Sequence, residues 1–372
     1  MGLKRNLLEL GVSLFARTYQ PFLRTSSESW KEIFILRNNS FGDLLCTTPL
    51  FSVLKQAFPE TKISLGLGKW HQDIIDGNPN VDEVIRLNAP WHNQFVVPDN
   101  ALSPFRYILS SPEVKALKQR KIDCGIDILG SPLGTLLFLR CGIPYRLGVK
   151  GYAGGHTGVQ KHVEFSWEVH ATDASLKMAA LLGVGGYEEW SRKPEIYLQN
   201  SETEKAEQVW EQGKQRIVVA PGGSFREKCW PIDNFLELLK LISSKADVDL
   251  VVLGGKEDFE HGERITQISD TWKNLAGKTS LRESFAIVKS SDLVLSNSSV
   301  LMHAAAAFDV PNLVLLGEWY DSAALHHKQW GHKHTIVMGP EVSAQKKLIT
   351  NPLEAFQCLQ KKQWLVIEEK LS

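Results

Sequence analysis

The 372-residue chain lacks an excess of charge of either sign: 42 Lys and Arg residues balance 42 Asp and Glu. That balance argues against a nucleic-acid binder relying on bulk charge, although it leaves room for a local basic patch. Cysteine is sparse. Cys46, Cys124, Cys141, Cys229 and Cys358 form no CxxC pair, and a scattered, odd-numbered set suits free thiols in a reducing cytosol better than a disulfide frame. No apolar run reaches the roughly 18 residues needed to span a bilayer. The N-terminus has no secretory pattern, and no internal repeat or low-complexity tract stands out. What remains is ordinary for a soluble globular protein, 43% apolar and 23% charged. The length favours two domains with full cores.

Strand and helix signals alternate along the chain. In the first half, strands are predicted at 33–37, 62–67, 82–87, 124–129 and 145–149, and helices at 47–58, 70–76, 112–120 and 167–183. The stretch 88–111, with Pro90, Pro98 and Pro104, reads as a long loop, as does the Gly- and His-rich 150–166. Residues 184–200 read as a linker. Alternation then restarts, with strands at 216–220, 248–253, 273–276, 292–296 and 311–316 and helices at 231–244, 258–269, 281–289, 299–308 and 352–363. This pattern implies an α/β fold of two Rossmann-like, doubly wound domains facing a central cleft. Near the start, Leu3, Leu7, Leu10, Leu14 and Phe15 recur at helical spacing among Lys4, Arg5, Arg17 and Arg24. A basic amphipathic helix of this kind either lies in a membrane interface or packs on protein.

Three segments can carry chemistry. The run Phe41-Gly42-Asp43-Leu44-Leu45-Cys46-Thr47-Thr48-Pro49 follows the apolar Ile33-Phe34-Ile35-Leu36. It places Asp43 where a parallel strand delivers a side chain to the crevice at its carboxyl end. A carboxylate there can take a proton from a hydroxyl, which suits group transfer. The run from Pro221 to Pro231 joins Gly222-Gly223 to Lys228-Cys229-Trp230-Pro231. Glycine admits a close phosphate approach, and Lys228 can neutralise a diphosphate leaving group; alternatively Lys228 is a solvated loop lysine and Trp230 a packing anchor. The run Ser296-Asn297-Ser298-Ser299-Val300-Leu301-Met302-His303 puts hydroxyls at a helix N-terminus, where they can cap the helix or bind phosphate. A lone His303 is more often structural than catalytic. His326, His327, His332 and His334 show no ligand pattern with nearby carboxylates and read as surface or cleft residues, so no metal is expected.

These segments, in this order and spacing, resemble glycosyltransferase family 9, the lipopolysaccharide heptosyltransferases. Asn39-Ser40-Phe41-Gly42-Asp43 with Thr47, Thr48 and Pro49 looks like the family's N-terminal signature. Lys228-Cys229-Trp230-Pro231 looks like its K-x-W-P element, and Gly254-Gly255-Lys256-Glu257 like its glycine-acid turn. Leu275-Ala276-Gly277-Lys278-Thr279-Ser280-Leu281 looks like the family segment before the last nucleotide-binding helix. The resemblance, which covers the chain from about 31 to 360, implies a GT-B fold: an acceptor-side domain (31–190), a nucleotide-sugar domain (191–350) and a last helix (351–372) crossing back to the first domain; the amphipathic N-terminal extension (1–30) lies outside the usual family core. It implies inverting, metal-independent transfer of a sugar, heptose from ADP-heptose in the family, to a lipopolysaccharide-core or other cell-envelope glycan.

By the same resemblance Asp43 is the general base. Ser40, Gly42 and Thr47 lie on the acceptor side, and Gly222, Ser224, Lys228, Glu257, Thr279, Ser298, Ser299 and His303 on the donor side. No cofactor or metal is implied. The partners are an ADP-linked sugar and a lipid-linked glycan, with membrane contact through residues 1–28 and no nucleic acid. The implied location is cytoplasmic, peripheral on the inner face of the cytoplasmic membrane. One departure stands out. The family pattern reads Asp-Ser/Thr-Gly before Leu-x-His, whereas this chain has Ser298-Ser299-Val300. The missing acid and glycine leave open a non-catalytic glycan- or nucleotide-binding member, and a nucleotide-sugar epimerase is a third reading.

Overall fold

The computed structural model describes residues 9–14, 16, 29–343 and 346–367, with side chains 342–348 excepted. The chain divides into two compact units, Met1–Glu195 and Ile196–Ser372.

The first unit holds a sheet of β1 (Glu32–Leu36), β2 (Lys62–Leu67), β3 (Glu83–Arg86), β4 (Cys124–Asp127), β5 (Tyr145–Lys150) and β6 (Lys161–Glu164). Their order is β3-β2-β1-β4-β5-β6, and every pairing is parallel. Parallel strands are covered on both faces, which is why β1 reads as an unbroken apolar run and is buried from Ile33 to Leu36. Phe34 and Leu36 pack with Leu137 and Phe138 of the helix Pro132–Cys141. The sequence reading placed no helix there, because PLGTLLFLRC is apolar all round and has no stripe. Its ends are nonetheless signposted: Ser131 accepts the Gly134 N–H, and Gly142 closes the helix in the left-handed region at φ 72°.

The second unit repeats the plan with β7 (Gln215–Ala220), β8 (Val248–Val252), β9 (Lys273–Asn274), β10 (Leu293–Ser296), β11 (Asn312–Leu315) and β12 (Thr335–Met338). Its order is β12-β11-β10-β7-β8-β9, again parallel throughout. Both sheets follow the same Rossmann order, and each reverses direction between two central strands, β1 and β4 in one, β7 and β10 in the other. The C-terminal helix Pro352–Lys361 was expected to return to the first domain. Its buried face, Ala355, Phe356 and Leu359, joins the second unit's core with Phe235, Leu238 and Ile242 of the helix Ile232–Ser243.

Other boundaries move for identifiable reasons. The expected loop 88–111 contains the helix Ser103–Ser110, whose Pro104 sits in the first turn, where no N–H is needed. The expected loop 150–166 contributes edge strand β6. The helix Asn200–Glu207 starts where the linker was expected to end; it is polar, and a Gln199–Glu202 capping box marks its start. The helix Ala323–Trp330 and β12 fall in a stretch that had been read only for its histidines.

Only part of the N-terminal amphipathic segment is described. Residues 9–14 are helical; Val12 and Ala16 are buried, and the Glu9 carboxylate accepts the Gly155 N–H and the Thr157 hydroxyl. This face docks on the first unit. Leu10 and Leu14 face solvent. Residues 1–8, Phe15 and 17–28 lie outside the described set. No helix among the described residues is long and apolar enough to cross a membrane.

Candidate active site

In the first unit, β1 ends at Leu36 and the chain turns through Arg37-Asn38-Asn39-Ser40 into the short helix Phe41–Leu45. Asp43 therefore sits just beyond the carboxyl end of β1, beside the reversal of strand order. Its side chain keeps 20% of its surface exposed, while that of Arg37 keeps 7%. Arg37 Nη2 donates to Asp43 Oδ1 at 3.1 Å, and Nε and Nη2 donate to the Asp43 carbonyl at 3.4 and 3.3 Å. The guanidinium thus fixes both the backbone and one oxygen of the carboxylate. Asp43 Oδ2 has no hydrogen bond among the described residues, which leaves that oxygen for a ligand. Sequence reasoning took Arg37 for the last residue of the strand and gave it no role.

The surrounding groups are neutral. Cys46 is fully buried, and burial, aided by the Asp43 charge, pushes its thiol up to about 12. His71 is buried edge-on to Phe41, and burial followed by the Arg37 charge pulls its pKa down to about 4. Of the expected acceptor-side residues, Ser40 is exposed and Gly42 half-buried. Thr47 is buried, and its hydroxyl donates to the Asp43 carbonyl at 2.9 Å. Thr47 therefore holds the turn rather than facing a ligand. At the end of β4, buried Asp127 accepts the N–H groups of Leu129, Gly130 and Ser131. Burial raises its pKa, and these three donors oppose that rise.

In the second unit the donor-side motifs converge at the carboxyl ends of β7, β8 and β10. Asn297, fully buried after β10, ties two loops together. Its Oδ1 accepts the Trp230 N–H at 2.9 Å, and its Nδ2 donates to the Pro221 carbonyl at 2.5 Å and the Gly222 carbonyl at 3.3 Å. Trp230 is 1% exposed, donates from Nε1 to Thr350 O at 2.8 Å and meets Phe235 edge to face at 5.0 Å. It is the packing anchor that holds the lysine turn. Lys228 Nζ lies 5.1 Å from the Phe225 ring centroid and 5.0 Å from that of Trp319, an ammonium between two aromatic faces.

The glycine turns are tight for a reason. A Cβ on Gly222 would stand 2.2 Å from the Asp258 carboxylate, which itself accepts the Gly255 N–H at 2.9 Å. Burial holds the Asp258 pKa above its usual range. Glu257 is exposed, with its carboxylate close over Gly255. Ser224 is exposed as well. Thr279 hydrogen-bonds to Ser284 at 2.9 Å, on a turn that Gly277 ties back to Gly254 O at 3.0 Å.

Ser299 caps the helix Val300–Ala307, its Oγ accepting the Leu301 N–H at 3.3 Å. Ser298 Oγ lies 2.8 Å from His326 Nε2. His303, on the same helix, is buried, and its Nδ1 meets His332 Nε2 at 2.9 Å. The reading of His326 as a surface or cleft residue is corrected here, because the helix Ala323–Trp330 carries it into the protein against Tyr320. Burial, with the charge of Lys228 and then His327, pulls its pKa down to about 4.

Two units of Rossmann order, each presenting its polar loops at the carboxyl ends of its strands, define the GT-B class of glycosyltransferases. Solved structures share the fold. The glycosyl transferase family 9 protein from Veillonella parvula superposes with a TM-score of 0.69 at 20% identity, covering 91% of this chain and 92% of that one. The E. coli ADP-heptose LPS heptosyltransferase II gives 0.68 at 19% identity over 89% and 98% of the two chains. The E. coli heptosyltransferase WaaC with ADP-2-deoxy-2-fluoro heptose gives 0.64 at 17% identity over 89% and 99%. The chain belongs to glycosyltransferase family 9 (heptosyltransferase), whose model matches residues 113–356. Among curated relatives, the lipopolysaccharide core heptosyltransferase OpsX of Haemophilus influenzae is 22% identical over 86% of this chain and 88% of its own length. Lipopolysaccharide heptosyltransferase 2 of E. coli K12 is 24% identical over 77% and 82%.

Proposed function

We propose that this glycosyltransferase moves a heptose from an ADP-linked donor to a lipopolysaccharide-core acceptor, with inversion at the anomeric carbon. Asp43 Oδ2 takes the proton of an acceptor hydroxyl as its oxygen attacks. The bond from the anomeric carbon to the diphosphate breaks, and the electron pair leaves with ADP. Lys228 lies on the donor side to neutralise that leaving group, and the Gly222 and Ser299 turns offer backbone N–H groups to phosphate. Glu257 is assigned to the ribose hydroxyls. The observation that carries the reading is the hold of Arg37 on one carboxylate oxygen of Asp43, which aims the other outward at the end of β1. Catalysis by a positioned base needs this kind of fixed geometry. Family membership and the named relatives support the choice of donor and acceptor.

The test is direct. Purified protein, ADP-heptose and a truncated lipopolysaccharide core are incubated together, and the acceptor is weighed by mass spectrometry. A gain of one heptose with equimolar ADP supports the assignment. Binding of nucleotide without a mass gain on any core acceptor would favour the non-catalytic reading. The exposure of Leu10 and Leu14, in a segment whose sequence is basic, supports peripheral attachment to the inner face of the cytoplasmic membrane. Liposome sedimentation should fall when residues 1–28 are removed, and equal sedimentation of both proteins would discard that attachment.

A further inference from the structure

The helix Ala323–Trp330 carries none of the family motifs, yet it delivers one side chain into them. His326 is 5% exposed, and its Nε2 lies 2.8 Å from Ser298 Oγ. Nδ1 is buried without a hydrogen-bond partner among the described residues. A buried N–H left unpaired is rarer than an unpaired lone pair, so the ring proton belongs on Nε2, where it has an acceptor. Nε2–H then donates to Ser298 Oγ. With the Tyr320 phenol also bonded to Ser298, the serine keeps one more hydrogen-bonding position, its proton or its second lone pair.

The rest of the surroundings fixes this pair. Tyr320 meets the His326 ring edge to face at 4.9 Å, and its phenol also interacts with Ser298. Trp319, packed on Tyr320 at 5.1 Å, holds the Lys228 ammonium. Ser298 is thus linked through three side chains to the lysine turn. It also occupies the position where the family pattern has a carboxylate facing the donor sugar. A free serine hydroxyl rotates among three wells, and a bond from a buried imidazole removes most of that freedom.

We propose that His326 is a positioning residue that fixes the Ser298 hydroxyl as an uncharged contact for a hydroxyl of the donor's sugar, in the place of the family's acid. The inference rests on the donor-site reading above and concerns only the sugar half of the donor. The sugar, rather than the nucleotide, is what His326 and Ser298 recognise.

Calorimetry on the full-length protein separates these parts, with ADP-heptose and ADP as the two probes. The ratio of their affinities is the increment contributed by the sugar. Ser298→Ala and His326→Leu should each cut that increment by roughly five- to tenfold, the equivalent of one neutral hydrogen bond. ADP affinity should stay unchanged in both. His326→Gln, whose amide nitrogen can reach the same oxygen, should keep the increment within about twofold of wild type, a rescue that mere packing would not produce. Thermal melting checks that His326→Leu is folded, and Ser298→Ala carries the test alone if it is not. An unchanged increment in Ser298→Ala, or a parallel loss of ADP affinity, overturns the proposal. So does a wild-type protein that binds ADP with no increment for the sugar. A wild-type protein that binds neither probe overturns the donor-site reading itself, and this inference with it.

Discussion

His71 makes the acid stability of the first unit predictable. Its ring is fully buried against Phe41 and Trp70, and burial plus the Arg37 charge lowers its pKa from an ordinary value near 6.5 to about 4. The unfolded chain therefore binds a proton between those values while the folded chain does not. Stability from this group is complete above about pH 6.5 and is lost progressively as pH falls toward 4. Going from pH 7 to pH 5, the linkage expression gives a loss of about 2 kcal/mol for this one residue. His71→Phe keeps an aromatic ring in the site and removes the titration. Urea unfolding followed by tryptophan fluorescence at both pH values is the assay, since Trp70 touches the ring at 5.5 Å. The variant should lose about 2 kcal/mol less than wild type over that interval, the carboxylate contributions cancelling in the comparison. Equal losses in the two proteins would refute the assignment of a neutral, buried imidazole.

Two other substitutions probe the donor side. Gly222→Ala puts a methyl group 2.2 Å from the Asp258 carboxylate and forces it off the Gly255 N–H. It should weaken ADP binding measured by calorimetry and cost about 1–3 kcal/mol of stability, the usual consequence of an unpaired buried polar group. Trp230→Ala removes a fully packed indole and its bond to Thr350 O, and should destabilise the second unit by about 3–5 kcal/mol in denaturant melts.

Much of this fold is legible because parallel strands announce themselves. Ile33–Leu36 and Val248–Val252 are apolar runs of strand length bounded by turns, and each was placed within a residue or so. The strand order is not written in any one segment. It emerges from right-handed crossovers that stack the helices on both faces. Helices were missed where periodicity carries no information. Pro132–Cys141 is apolar on every side, and Asn200–Glu207 is polar on nearly every side.

The site divides along similar lines. Asp43 and Lys228 lie in the segments that follow β1 and β7, beside glycine or proline, so local pattern is enough to nominate them. Arg37, Asn297 and His326 act through partners distant in sequence or on another element, as in the 2.8 Å contact between His326 and Ser298. A run of four histidines hid the one that is turned inward. Thr47 and His303 have partners that the sequence does not announce, the Asp43 carbonyl and His332.

Asp43→Asn is the most direct test of whether this carboxylate is the base. Asparagine can keep its carbonyl oxygen on Arg37 Nη2, so the substitution exchanges only the outward oxygen for an amide nitrogen. With ADP-heptose and a lipopolysaccharide-core acceptor, kcat should fall by about 10²–10⁴-fold, the usual contribution of a general base, while ADP affinity is unchanged. Turnover by Asp43→Asn at a rate near wild type would contradict the account.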